Sequence, residues 1–348
     1  MPAIPLRSRL CRVYWICFPS FIADIGGARP PTCGARLLIM PAAPSRKAST
    51  LCLWLGVLCL WWAALFSSTA RAADILLVAG EDTAGVQSFT QALRALRPDD
   101  TVRFLPLANL TPPGQLNPAT RLILLDLPSL EWRVQDSAGP SALVLRISRL
   151  QARQRLGVNV PPYLSLLWSD PAPHRQLNLI QTLMPQVRRV GVLYDRHSEF
   201  LLSELRLAAL SLNLEIVAEP WENTQDSQPL KKLLDRSDVL LGVDDPDLFN
   251  PKTAKNLLLS SYARQRALIG PNAGFVKAGS LASTYSDQDD WLAILDELLD
   301  QPPATWPRTQ YPRRFKVTSN LQVSRSLGLE PVNDATVATL LAEGERHP

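Results

Sequence analysis

The sequence predicts an α/β protein of two doubly wound lobes that are joined by a hinge. After about residue 72, short apolar runs alternate with amphipathic segments, which is typical of parallel sheets with helices on both faces. The alternation starts afresh at 187–195, as though a second sheet began there. The last elements have no place in this second alternation, so we expect the chain to return to the first lobe.

Strands and helices follow from the spacing of apolar residues. In the first lobe, strands are predicted at 73–80, 101–107, 121–127 and 162–169. One helix carries Val86, Phe89, Leu93 and Leu96 on one face, another is predicted at 142–156, and a helix at 170–185 follows the last of these strands. In the second lobe, strands are predicted at 187–195, 214–221, 238–245 and 267–270, and helices at 198–213, 229–237 and 253–265. A strand at 280–286, a helix capped by Ser286, a strand at 314–320 and a helix at 321–329 complete the pattern.

The lobe boundaries are predicted to lie where this alternation changes. We expect 73–170 and 276–348 to form the first lobe, and 171–275 the second. The stretch 270–279 contains three glycines and a proline, so we predict that it is not helical. It would pass along the cleft between the lobes, and 276–286 would act as hinge and strand.

The amino-terminal region has the organisation of an export signal. Arg46 and Lys47 precede a uniformly apolar run at 51–66, and Ala70-Arg71-Ala72 forms a small-x-small cleavage site. We therefore expect a signal peptide at 40–72, cleavage before Ala73 and a periplasmic protein. Residues 1–39 are predicted to be an upstream extension without structure. The alternative is that the apolar run anchors the chain in a membrane.

The composition limits the possible functions. All five cysteines precede residue 60, so an exported chain would have no disulfide, thiolate metal site or cysteine nucleophile. Residues 1–72 contain eight of the 36 basic and one of the 32 acidic residues, which leaves 28 basic and 31 acidic residues. A chain without a net basic charge gives no indication of nucleic-acid binding. We predict a monomer without cofactor or metal.

Several segments resemble the ABC-transporter substrate-binding proteins of the tryptophan/tyrosine-binding type, which have a periplasmic binding protein type I-like fold. They are "VGVLYDRHSEFLLSELRLAA", the block at 240–290, "LLWSDP" and "VSRSLGL". The resemblance implies two Rossmann-like lobes that close on a small molecule, such as an amino acid, and deliver it to an ABC permease in the inner membrane.

Candidate ligand-binding residues follow from the rule that ligands bind beyond the carboxyl ends of parallel strands. They are Thr83, Trp168, Ser169, Asp170, Asp244, Asp245, Asn272 and Phe275. One of the adjacent Asp244 and Asp245 would bind a ligand ammonium group, and Trp168 would stack on a planar ligand. The alternatives are helix capping for Thr83 and the aspartates, turn formation for Ser169 and Asp170, and core packing for Trp168.

No catalytic motif is present. The chain lacks GxSxG, HExxH, GxGxxG and P-loop patterns, and it contains only three histidines. The sequence therefore favours a periplasmic solute-binding protein over an enzyme. Two other hypotheses remain: a sensory or accessory binding protein that works with a receptor or an outer-membrane uptake system, and an exported hydrolase using Asp170 with Asp245.

Overall fold

The structure is a computed structural model that describes residues 72–346. The predicted extension at 1–39 and all of the predicted signal peptide except Ala72 lie outside the described residues. Among residues 72–346, no helix combines the length and the apolar character needed to cross a bilayer.

The first lobe is built on a six-stranded sheet in which all neighbouring strands are parallel. Its order is β11-β5-β4-β3-β1-β2. The strands are β1 (Asp74–Ala79), β2 (Thr101–Pro106), β3 (Arg121–Leu124), β4 (Ala142–Ile147), β5 (Leu164–Trp168) and β11 (Thr309–Gln310). The helices are α1 (Ala84–Leu96), α2 (Leu127–Arg133), α3 (Arg149–Leu156) and α9 (Gln288–Leu299). Short 3-10 helices lie at Leu107–Asn109, Pro113–Gln115 and Pro303–Thr305.

Both faces of this sheet are buried because successive side chains of a strand point to opposite faces. Ile75 and Leu77 of β1 belong to one apolar cluster with α1 and α9. Leu76 and Val78, which alternate with them, belong to a second cluster with α2 and α3. The first lobe is therefore doubly wound.

The second lobe is also built on a six-stranded sheet, with the order β12-β10-β9-β8-β6-β7. Its strands are β6 (Arg189–Tyr194), β7 (Glu215–Pro220), β8 (Val239–Leu241), β9 (Ala267–Ile269), β10 (Ala282–Tyr285) and β12 (Lys316–Ser319). Only β12 runs antiparallel to its neighbour. The helices are α4 (Pro173–Leu183), α5 (Leu201–Ser211), α6 (Gln228–Arg236), α7 (Pro251–Tyr262), α8 (Ala273–Ala278), α10 (Leu321–Ser326) and α11 (Asp334–Arg346).

The two sheets share one topology. In each, the strand that comes first along the chain lies between the second and the third, so the strand order reverses beside β1 in one sheet and beside β6 in the other. Parallel α/β sheets bind ligands beyond the carboxyl ends of the strands at such a switch point. We therefore expect ligand-binding residues beyond the carboxyl ends of β1 and β3 in the first lobe, and of β6 and β8 in the second.

The chain passes between the two sheets three times. The connections are residues 169–172 between β5 and α4, 286–287 between β10 and α9, and 311–315 between β11 and β12. The prediction that 276–348 belongs entirely to the first lobe was therefore wrong. Only α9 to β11 lies there, because β10 pairs with β9, and β12 pairs with β10. Spacing along the sequence does not reveal which sheet a short strand will join.

Three local predictions were also wrong. Residues 142–156 form a strand and then a helix, since a short apolar run buried on both faces has no period that identifies it. Residues 273–278 are helical. Asn272 caps them, and Gly279, with φ of 127°, ends them in a region that favours glycine. The cap of α9 is Asp287 rather than Ser286, and α11 was not predicted.

Candidate functional site

A small cavity lies between the lobes at the carboxyl ends of their strands. Its volume is about 40 Å³, which suffices for a few water molecules. The first lobe and the connection at 169–172 contribute Arg149 and Asp170, and the second lobe contributes Asp244 together with Gln176 of α4. The remaining wall is formed by Pro171, Pro173, Leu201, Leu205, Leu241, Gly242 and Val243.

Asp170 is placed by the end of β5 and held by the start of α3. Its Oδ1 accepts a hydrogen bond of 2.9 Å from the backbone N–H of Arg149. Burial, and after it the negative charge of Asp244, raises the pKa of the Asp170 carboxyl to about 7. Near neutral pH this carboxyl therefore holds a proton part of the time.

Asp244 approaches from the second lobe, three residues after the end of β8. Its side chain is half-buried, and burial followed by the charge of Asp245 raises its pKa to about 6. Neither Asp170 nor Asp244 forms an ion pair with a basic residue in the described part of the chain. The cavity thus brings together two carboxyl groups without a cationic side chain bound to either.

An ion pair beside the cavity connects the lobes. The guanidinium of Arg149, at the start of α3, pairs with the carboxylate of Glu204 in α5. The Tyr311 hydroxyl lies 3.5 Å from Glu204 Oε1, and the Phe200 ring lies 5.7 Å and 5.2 Å from the guanidinium carbons of Arg149 and Arg153. Burial raises the pKa of Tyr311, so that it remains a neutral hydroxyl. These contacts hold the lobes together on one side of the cavity.

We expect Glu204→Gln to loosen this connection without unfolding either lobe. Glu204 is 37% exposed, and ion pairs of that exposure contribute about 0.2–1 kcal/mol. Hydrogen exchange at the amides of 149–156 and 201–205 should become faster, by up to about fivefold. Glu131→Gln is the matched control, because Glu131 pairs with Arg155 within the first lobe. Unchanged exchange at both segments would contradict a connecting role for Glu204.

Four other candidate residues do not line this cavity. The Thr83 side chain caps α1 by accepting from the N–H of Val86 at 3.3 Å. Trp168 is half-buried and packs on the apolar cluster that contains Leu166, and Ser169 is exposed. Asp245 is 1% exposed and lies with Asp195 rather than with Asp170. Asp245, the partner of Asp170 in the hydrolase hypothesis, thus does not line the cavity that contains Asp170.

Asn272 and Phe275 lie away from the small cavity, in a groove between α7 and α8. Asn272 Oδ1 accepts from the N–H of Phe275, whose ring meets that of Phe249 edge-on at 5.8 Å. The groove has a volume of about 770 Å³ and is largely apolar. It is lined by Phe249, Asn250, Pro251, Ala254, Lys255, Leu258, Leu259, Tyr262, Asn272, Gly274, Phe275 and Ala278.

Sequence reasoning did not identify several residues around the cavity. Arg149, Glu204 and Tyr311 come from three separate segments, which the crossings of the chain bring together. Gln176 is buried, and its amide contacts the carbonyl oxygen of Gly270 at 3.2 Å and the N–H of Thr284 at 3.3 Å. The only sequence signal for these buried hydrogen bonds was a glutamine next to the apolar stripe of a helix.

No family model and no curated protein matches the chain. Among solved structures, it is similar to a substrate-binding protein with adhesive properties from Clostridium difficile, in a ligand-free, open form. The identity is 15%, the match covers 76% of this chain and 97% of that one, and the TM-score is 0.58. This likeness confirms the predicted fold, two α/β lobes of the periplasmic binding protein type I-like class.

Two further solved structures align over similar lengths. An ABC domain in complex with L-Trp from Streptococcus pneumonia is 16% identical, with 75% of this chain and 96% of that chain covered and a TM-score of 0.48. A conserved domain protein from Vibrio cholerae is also 16% identical, with coverages of 77% and 98% and the same TM-score of 0.48.

Proposed function

We propose that the protein is an exported solute-binding protein that binds a small molecule with a protonated amine between its two lobes. The observation that carries this proposal is the pair of Asp170 and Asp244 at the cavity between the lobes. Burial raises the pKa of both carboxyls, and no Lys or Arg of the described residues forms an ion pair with either of them. A ligand ammonium between them would supply a cationic partner and favour their charged forms.

The other walls of the cavity suggest the rest of the ligand. Leu201, Leu205 and Val243 provide an apolar surface, and Arg149 provides a guanidinium that binds carboxylates in a planar, two-pronged way. An amino acid or a related amine with an apolar part matches this set of groups. The ABC-type importer that would receive the ligand is inferred from the sequence resemblance.

The present volume of about 40 Å³ is too small for an amino acid, so binding requires the lobes to separate. The ion pair of Arg149 with Glu204 would have to open for entry, which would free the guanidinium for a ligand carboxylate. Hinge closure of this kind is the usual response of two-lobe binding proteins.

Mass spectrometry of small molecules released from the purified protein tests the proposal most directly. Each released compound is then titrated calorimetrically, beside an analogue in which a hydroxyl replaces the amine. We expect the amine to bind and the analogue to bind at least tenfold more weakly. Equal binding of the analogue would refute recognition by the two aspartates. Absence of binding and of ligand-dependent thermal stabilisation across amines and amino acids would refute the binding function itself.

A further inference from the structure

Three aspartates converge at the switch point of the second sheet, beside the cavity but separate from it. Asp195 directly follows β6, while Asp245 and Asp247 lie in the loop after the neighbouring strand β8. One carboxylate oxygen from each of the three lies within 4.8 Å of the other two. Two oxygens bound to one Ca²⁺ at about 2.4 Å can be at most about 4.8 Å apart, so the spacing suits a shared ion.

Backbone amides fix two of these carboxylates in place. Asp195 Oδ1 accepts hydrogen bonds from the N–H of His197 at 2.8 Å and of Ser198 at 2.9 Å. Asp245 Oδ1 accepts from the N–H of Asp247 at 2.9 Å and of Leu248 at 3.3 Å. Each carboxylate therefore uses Oδ1 to order its own loop, as side chains that close tight turns commonly do.

The second oxygen of Asp245 has no such partner. Asp245 is 1% exposed. The Ser198 hydroxyl lies close to its carboxylate but donates to Asp195 Oδ1 at 3.0 Å, and within residues 72–346 the Oδ2 of Asp245 accepts no hydrogen bond. A buried carboxylate oxygen without a partner is costly and calls for an explanation, such as a bound ion. No Lys or Arg in the described part of the chain pairs with Asp195, Asp245 or Asp247. The cluster thus concentrates negative charge around an oxygen that lacks a partner.

We propose that Asp195, Asp245 and Asp247 bind a hard divalent cation, with Ca²⁺ as the best match. The donors are all oxygen atoms, which Ca²⁺ and Mg²⁺ prefer, and residues 72–346 contain no cysteine. The nearest imidazole, His197, accepts a hydrogen bond of 3.2 Å from Arg196, so its ring does not favour a zinc site. Asp247 is exposed, which gives the ion a route from solvent and leaves coordination positions for water.

The ion would also affect the neighbouring cavity. Asp244 directly precedes Asp245, and the charge of Asp245 contributes to the raised pKa of Asp244. A divalent cation on Asp245 would offset that charge and hold the loop from which Asp244 reaches the cavity. The site itself does not depend on the proposed function, because its three ligands are distinct from Asp170 and Asp244.

Calorimetric titration of the purified, chelator-treated protein with CaCl₂, MgCl₂ and ZnCl₂ tests the site, together with thermal unfolding at pH 7.5. We expect one Ca²⁺ per chain and a melting temperature that rises with its concentration. Asp245→Asn should abolish this response. Asp247→Asn, at an exposed position where folding is not at risk, should weaken Ca²⁺ binding at least tenfold. Asp99→Asn, which removes an exposed carboxylate of the first lobe away from both sites, is the control and should retain one Ca²⁺ per chain.

Three results would overturn the proposal. One is the absence of saturable binding at one ion per chain. Another is a Ca²⁺ response that persists in both Asp245→Asn and Asp247→Asn, which indicates diffuse attraction to the acidic surface. The third is a melting temperature at pH 7.5 that neither Ca²⁺ nor Mg²⁺ raises. A response to Zn²⁺ alone would likewise exclude a site for a hard cation.

Discussion

Asp244→Asn is expected to weaken binding of the proposed amine ligand by about 10- to 100-fold. A hydrogen bond to a charged partner contributes about 1.5–3 kcal/mol, and 1.4 kcal/mol corresponds to a factor of ten in affinity. Asp170→Asn should have an effect of similar size, since the two carboxyls flank the same cavity. Calorimetric titration measures both. Asp99→Asn is the control, because Asp99 is exposed and precedes β2 at the opposite edge of the sheet.

Asp244→Asn should also change the pH dependence of ligand affinity. In the ligand-free protein, the pKa values of Asp170 and Asp244 are about 7 and about 6, and a cationic ligand binds their ionised forms. Affinity should therefore rise from pH 5.5 to 8, and Asp244→Asn should flatten this rise. An affinity that falls with pH, or one that Asp244→Asn leaves unchanged, would contradict the assignment.

Stability of the ligand-free protein should change in the opposite direction. The folded-state pKa of both carboxyls lies above the ordinary value of 3.8 for an aspartate, so the folded state binds more protons than the unfolded state. The free energy of unfolding should therefore fall as pH rises from about 4 to about 7. Asp244→Asn should reduce this fall, because it removes one titrating group and relieves Asp170 of a neighbouring charge.

Arg175→Met is expected to lower the free energy of unfolding by about 3 kcal/mol, since it removes several hydrogen bonds of a charged group, each of which contributes about 1.5–3 kcal/mol. Arg175 is 4% exposed. Its Nε and Nη2 donate hydrogen bonds to the Glu345 carboxylate at 2.6 Å and 2.8 Å. Nη2 also donates to the carbonyl oxygen of Pro312 at 3.0 Å, and the guanidinium carbon lies 3.7 Å from the centre of the Phe315 ring. Arg175 thus joins α4 to the third connection and to α11.

Chemical denaturation of Arg175→Met beside Arg313→Met measures this effect. Arg313 is exposed in the same connection, so its replacement changes charge and side-chain length without removing buried partners. We expect Arg313→Met to lie within about 0.5 kcal/mol of the unsubstituted protein. If both variants lost the same free energy of unfolding, the buried contacts of Arg175 would contribute no more to stability than the exposed side chain of Arg313 does.

Much of the fold could be predicted because the apolar pattern is local. Runs such as 73–80 and 187–195 identify buried parallel strands, and their repetition indicates two sheets. Sheet membership depends on strand pairing, which is not local. Ala282 pairs with Ile269 and with Ser319, and nothing in the sequence of 280–286 distinguishes this arrangement from a return to the first sheet.

The candidate site was also predictable only in its local features. Asp170 and Asp244 were identified from the ends of strands, and the structure brings them to one cavity, although their role in binding remains a prediction. The direction of a side chain was not predictable. Asp245 follows Asp244 directly, yet it turns to Asp195, since two backbone N–H groups hold its Oδ1. Asn272 and Phe275 were displaced from the cleft by an unpredicted helix.

The threefold passage of the chain also determines the order in which the protein can be assembled. The first sheet obtains its edge strand β11 and its covering helix α9 only from residues 288–310, after the chain has already supplied β6 to β10. A fragment that ends at residue 168 would leave Phe89 and Leu93 without Trp291 and Leu295, their partners in one apolar cluster. Completion of the amino-terminal half must therefore wait for late-synthesised residues, and such long-range closure slows folding. A chain that remains incomplete for longer also leaves the apolar face of its first sheet exposed to solvent for longer.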